Sequence, residues 1–348
     1  MADTIKLNEL KPGDLLLYEA DLSDFISRTI AKLTHSAVTH TAMSDYNPAY
    51  IIEEGNKFAA RILIDPPGSR VIHIRRLKNS PDTSKVDDIA MKYVEAKLPY
   101  PDSNLVLLGL NIIVSDFFPD TILGDIIKNI LRLITYELIK FFNKIKDPDS
   151  DVPPMVCSEF ATFCYDEAAV TIGPEYKIHY NEKVNTVSSL IKKIIDQLLS
   201  EPEKTFKTSH LISCVPADTL SVSSADSSEE LKMYCDQLVD HLSETQSENH
   251  PEIGSTNSIS DNVIMAIYNF AKWFMKVFAG DDAADLSESV GSNAIITADE
   301  VRKLLEKFLR FQEAFVTPED IYSNSTNLDD LGILTYTQKD IDALNKSE

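Results

Sequence analysis

The chain has 348 residues, 43% of them hydrophobic and 25% charged, which is room for one large domain or two ordinary ones around a buried core. Its 33 Lys and Arg against 55 Asp and Glu give a formal charge of −22. Such a surface repels phosphate backbones, which argues against nucleic acid as a partner, and also against anionic membranes unless a local basic or apolar patch intervenes.

The N-terminus, "MADTIKLNELKPGD", has no basic region followed by an apolar run, so no ordinary secretory signal is expected. A Lys-Pro-Gly-Asp turn signal then leads into the apolar run 13–18, "GDLLLY". The spacing of Phe25, Ile26, Thr29, Ile30 and Leu33 predicts a helix over 22–33 with Ser23 as its cap. Four apolar runs follow at 37–43, 49–54, 60–64 and 70–76, separated by the turn signals "SDYNP", "GNKF" and "DPPGS". They predict an antiparallel meander.

Residues 84–97 suit a helix ending before "LPYPD". The most apolar stretch, 104–146, is broken by Asp116, Pro119, Asp120 and Asp125, so it holds no run of the ~20 apolar residues a membrane crossing needs. Its second half is amphipathic, with Ile122, Ile126, Ile130, Ile134, Leu138 and Phe141 on one face and Asp125, Lys128, Arg132 and Lys140 on the other. Two readings stand: a core-packing helical excursion, or a lipid-facing lid over 104–142 whose basic residues meet a membrane surface. Beyond it come a helix opened by Cys157, a helix near 185–199 and a strand at 210–215, "HLISCV". A polar linker over 221–262 carries a helical piece at 229–242, and strong helical patterns occupy 261–279 and 298–315. Trp273, Phe274, Val277 and Phe278 belong to the expected core of this part.

Four cysteines, at 157, 164, 214 and 235, are too few and too scattered for a disulfide scaffold and form no C-x-x-C pair for zinc. A reducing compartment that keeps a thiol free is expected, with no metal and no cofactor. In "DVPPMVCSEF" the prolines precede Cys157, placing it at a helix N-terminus, where the thiolate is favoured. A nucleophilic thiol also needs a base. Of the seven histidines, His40 is the best placed, mid-strand in "VTHTAM" between small threonines. The next strand, "AYIIEE", offers Glu53 or Glu54 to orient the imidazole, and alternation aims only one of them at the face His40 uses. Taken singly, each of these residues also reads as packing or surface. The chain has no G-x-S-x-G elbow, P-loop, dinucleotide-binding glycines or H-E-x-x-H.

"KPGDLLLY", "THSAVTHTAM", "YIIEE" and "VCSEF", in that order, resemble the circularly permuted branch of the NlpC-type papain-like cysteine hydrolases, relatives of lecithin–retinol acyltransferase. Thr39 stands where that family usually has serine before its histidine. The resemblance implies an α+β fold: an antiparallel sheet packed by helices over 1–225, with an α-helical C-terminal region over 226–348. It carries the nucleophile to Cys157, the base to His40 and the orienting acid to Glu53, with Glu54 as the fallback. Members close the domain with a Pro-x-Asp segment. "CVPADTL" (214–220) and "FVTPEDIYSNS" (315–325) both qualify, and the second would return the last residues to the core sheet.

The implied activity is attack on an amide or ester carbonyl, with the Cys157 N–H helping to hold the oxyanion. The apolar 104–142 stretch tilts the substrate toward a lipid acyl ester over a peptide-like amide. The other reading is a non-enzymatic module that binds a protein partner through its C-terminal helices. The expected location is the cytoplasm, or export as a bacterial effector without a cleaved signal.

Overall fold

The computed structural model describes residues 3–54, 58–79, 81–97, 100–115, 117–144, 154–181, 189–207, 224–247, 258–279 and 295–346. Alternating runs build a seven-stranded sheet from β1 (Thr4–Lys6), β2 (Leu15–Glu19), β3 (Val38–Ser44), β4 (Tyr50–Glu54), β5 (Ala59–Leu63), β6 (Ile72–Leu77) and β9 (Leu328–Thr335). A separate two-stranded piece pairs β7 (Thr205–Lys207) with β8 (Ile295–Thr297). The order in the large sheet is β1-β9-β6-β2-β3-β4-β5. Of the meander expected over the runs from 37 to 76, β3, β4 and β5 are successive antiparallel neighbours, with Glu53 opposite Ala60. β6 leaves it to pair with β2, whose other side takes β3 with Leu15 opposite Met43 and Tyr18 opposite His40.

The sheet as a whole is mixed rather than antiparallel. β9 enters between β1 and β6, antiparallel to β6 but parallel to β1. Gly332, at φ 91°, permits this, because a Cβ there would run into the Asp3 carbonyl oxygen, whose acceptor role goes to Ile333 N–H at 2.9 Å. The segment before β9 is tied to the N-terminal half by Ser158 Oγ donating to Val316 O at 2.7 Å and by Ser36 bonded to Glu319. Residues 226–348 are therefore not a helical region throughout, and a cut at 225/226 would part β9 from both its neighbours.

Period-2 alternation sorts the strand residues onto two faces. Leu15, Leu17, Met43 and Ile52 pack under the helices α2 (Ser84–Ala96) and α5 (Cys157–Thr171). Leu16, Tyr18, Ile51, Ile72 and Ile74 pack with Leu7 and with Ile341 of α10 (Gln338–Asn345). α1 (Phe25–Thr34) starts one residue later than its cap was expected. Asp24, not Ser23, accepts from Ser27 N–H at 2.7 Å, because the Ser23 hydroxyl is turned onto Asp21.

A second core is mainly helical, with Phe206 of β7 and Ile296 of β8 packed into it. It joins α3 (Ser103–Val114), α4 (Thr121–Lys144), α6 (Leu190–Ser200), α7 (Ser224–Ser247), α8 (Asp261–Phe278) and α9 (Ala298–Ala314). Ile126, Ile130, Ile134 and Leu138 of α4 are buried in it with Phe270, Phe274 and Phe308, and Trp273 packs at its margin. Ile122 is the exception on that apolar face, 65% exposed. The cations expected to form a basic stripe are each paired with a carboxylate: Lys128 with Asp125, Arg132 with Glu230 and Lys140 with Glu137. Among the described residues no helix is long and apolar enough to cross a membrane. The strand expected at 210–215 and the segment 214–220 lie outside the described residues.

Candidate active site

Four elements meet here, the starts of α5 and α3 and the strands β3 and β4. α5 begins at Cys157, after Val156 in extended conformation, whose apolar side chain offers the first turn no acceptor. Val156 and Cys157 pack in the helical core, whereas Phe160, Ala161 and Cys164 lie on the sheet. The nucleophile position is thus the seam between the two cores. α3 starts beside it: Asp102 caps that helix by accepting from Asn104 N–H at 3.1 Å and Leu105 N–H at 3.2 Å. β3 supplies His40 and β4 supplies Glu53.

His40 Nε2 and Glu53 Oε2 are 2.7 Å apart, and the Cys157 side chain is near enough to act on the protonation of the imidazole. With Nε2 committed to Glu53, Nδ1 is the nitrogen left for the thiol. Burial pulls the His40 pKa down, but contact with Cys157 and then with Glu53 outweighs it and pushes the imidazole up to about 10. Burial raises Glu53, and the His40 bond and charge, with Arg70 beyond, bring it below the ordinary carboxylate value. The Tyr18 ring lies 5.6 Å from the His40 ring, and the Arg70 guanidinium sits 4.4 Å over the other ring's centroid while bonding Asp65 at 2.8 Å. The three residues singled out from sequence are together. The Glu54 side chain lies outside the described residues.

Cys157 is 1% exposed. An open cleft of about 490 Å³ reaches His40, Glu53 and Ser103. Of the described residues lining it only Pro66 is apolar; Asp21, Asp24 and Asp102 add negative charge beyond the His40–Glu53 and Arg70–Asp65 pairs. Burial lifts the Cys164 thiol well above its ordinary value and pushes Cys235 up to about 12. Among the described residues no group of three or more His, Cys, Asp or Glu could hold a metal ion.

Ser103 was missed from the sequence. Its Oγ accepts from the Cys157 N–H at 3.1 Å, the very donor expected to face an oxyanion. "PDSNLVLLGL" does carry the signal of a capped helix start, but nothing local says that this start meets Cys157. No family model and no curated protein matches the chain.

Proposed function

We propose that this protein is a cysteine-dependent hydrolase or acyltransferase, a circularly permuted NlpC-type papain-like enzyme with Cys157 as nucleophile, His40 as base and acid, and Glu53 orienting His40. The observation that carries this reading is the connected Cys157–His40–Glu53 set at a helix start beside an open cleft. The Cys157 thiolate attacks a carbonyl carbon, forming a C–S bond as the carbonyl π electrons move onto oxygen. Collapse expels the amine or alkoxide, which takes its proton from the His40 imidazolium. Water, deprotonated by His40, then attacks the thioester, and the sulfur leaves as thiolate. In acyl transfer, an acceptor amine or alcohol replaces that water. Glu53, accepting from Nε2, holds the ring with Nδ1 toward the sulfur and balances the imidazolium charge.

For the substrate, the cleft favours a peptide-like amide over a lipid ester. The apolar faces that would have formed an acyl channel are spent in the helical core, and the lining is polar and acidic. A peptide bearing an amine or guanidinium matches that charge.

The test is turnover of Lys- and Arg-containing peptidyl aminocoumarin amides beside p-nitrophenyl palmitate, with wild type, Cys157→Ala and His40→Ala. Amide cleavage lost in both variants is expected. Cleavage of the palmitate ester alone would put the lipid first, and no Cys157-dependent turnover with either would leave the protein-interaction module.

A further inference from the structure

The helix-start N–H of a nucleophilic residue is a ready donor for the oxyanion of the tetrahedral intermediate. Here that donor is engaged: it points at Ser103 Oγ, 3.1 Å away. Ser103 is 6% exposed, yet it lines the same cleft as His40, with its hydroxyl bonded to the Cys157 amide. A hydroxyl has one proton to donate and two lone pairs to accept with. One lone pair takes the Cys157 N–H, and among the described residues no acceptor takes the Ser103 proton. A nearly buried donor without an acceptor is costly, and facing the cleft it has one natural acceptor, an oxygen of the bound molecule.

We propose that the Ser103 hydroxyl is the oxyanion donor of this site, relaying the Cys157 amide to the developing negative charge. The inference rests on Cys157 being the nucleophile. As the carbon–oxygen π bond opens, the oxygen gains charge and accepts the Ser103 O–H. The Cys157 N–H, donating into the same oxygen atom of Ser103, polarises that hydroxyl and makes it a better donor. No proton is transferred in this step. The contact tightens as charge develops, so it lowers the barrier more than it tightens ground-state binding. Asp102 makes the capping bonds of α3 with its own side chain, so the helix start does not depend on the Ser103 hydroxyl.

Two reactions of the same sulfur separate this role from the alternatives. Acylation by p-nitrophenyl acetate passes through an oxyanion: Sγ bonds the acetyl carbon and p-nitrophenolate leaves. Alkylation by iodoacetamide displaces iodide at a saturated carbon and forms no oxyanion. Rates at Cys157 would be read for both reagents by mass spectrometry in wild type, Ser103→Ala and Ser103→Gly. Acylation slower by about 10²–10³-fold, with alkylation within about twofold of wild type, is the expected result. Both rates unchanged or both faster would overturn the proposal, the hydroxyl then merely covering the sulfur. Both slowed alike would also overturn it, assigning Ser103 to holding the helix ends. Wild type alkylated but never acylated at Cys157 would remove the nucleophile itself, a failure distinct from the other two.

Discussion

Asp87, on α2, is fully buried, and among the described residues neither of its carboxylate oxygens has a hydrogen-bond partner. Burial first, then the negative charges of Asp45 and Asp88, push it up to about 7 against the opposing pull of Arg61. The backbone N–H of Tyr46, which could have relieved it, donates to Asp45 at 2.7 Å. An unfolded chain releases this proton near 3.8 while the folded protein keeps it to about 7, so folding takes up a proton in between. Stability must then fall as pH rises through that window and level off above it. Integrated from pH 5 to pH 8, a displacement from 3.8 to about 7 amounts to about 2–3 kcal/mol lost at the higher pH. Asp87→Asn keeps the volume and removes the titration. Urea unfolding of both proteins at pH 5 and pH 8 isolates the effect, since His40 and the other shared groups cancel in the comparison. The variant should gain about 2–3 kcal/mol on wild type between the two pH values. Parallel pH dependences would show that Asp87 is ionised, with a counter-charge or water at its oxygens, and would refute the reasoning.

Glu53→Gln removes the carboxylate facing Nε2, so the His40 titration, followed by ring NMR signals, should move from about 10 toward 6.5. His40 gains its proton on folding, so its stabilisation is complete below 6.5 and lost as pH climbs through the folded value, which comes earlier in the variant. His40→Ala should slow Cys157 acylation by about 10²–10⁴-fold, the range for losing a general base, read as p-nitrophenol release. Gly109→Ala would ordinarily steady a helix by about 1 kcal/mol, but its Cβ would strike the Phe270 ring. A melting temperature that falls, for a net loss of about 1–3 kcal/mol, is expected from overpacking, and a rise would deny the α3–α8 contact. Ser158→Ala leaves Val316 O without its 2.7 Å donor and should cost about 1–3 kcal/mol in urea unfolding.

The strands over 13–76 were legible because their alternation is clean and their turns are marked by Gly, Pro, Asn and Asp. His40 and Glu53 could be matched because neighbouring strands leave little freedom over which face each uses. β9 offered no such pattern, since Asp329, Asp330 and Gly332 interrupt "LDDLGILT"; only the family pattern at 315–325 hinted at a return to the sheet. Its acidic residues are accommodated by partners far away in sequence: Asp329 lies opposite Arg76, and Asp330 opposite Arg75, 2.5 Å from its guanidinium. The same limit hid the fate of Arg132, whereas the partners of Lys128 and Lys140, Asp125 and Glu137, lie three residues away on the same helix as each. Periodicity gave the helix face of Arg132, but Glu230, which pairs it, sits on another helix. Ser103 was invisible for the same reason, its role being created by two helix starts meeting.

The parallel pairing of β1 with β9 bears on how this chain is made. During synthesis Thr4–Lys6 emerges long before Leu328–Thr335, yet β9 is the neighbour that ties β1 into the sheet. Closing a loop of that length costs about 5 kcal/mol of chain entropy, against about 1–2 for a short hairpin, so β1 docks late, onto strands already assembled. Until then β6 presents a bare edge beside β2, an open template for another chain. A polypeptide stalled or truncated before 328 keeps that edge exposed and is the form of this protein most prone to aggregate.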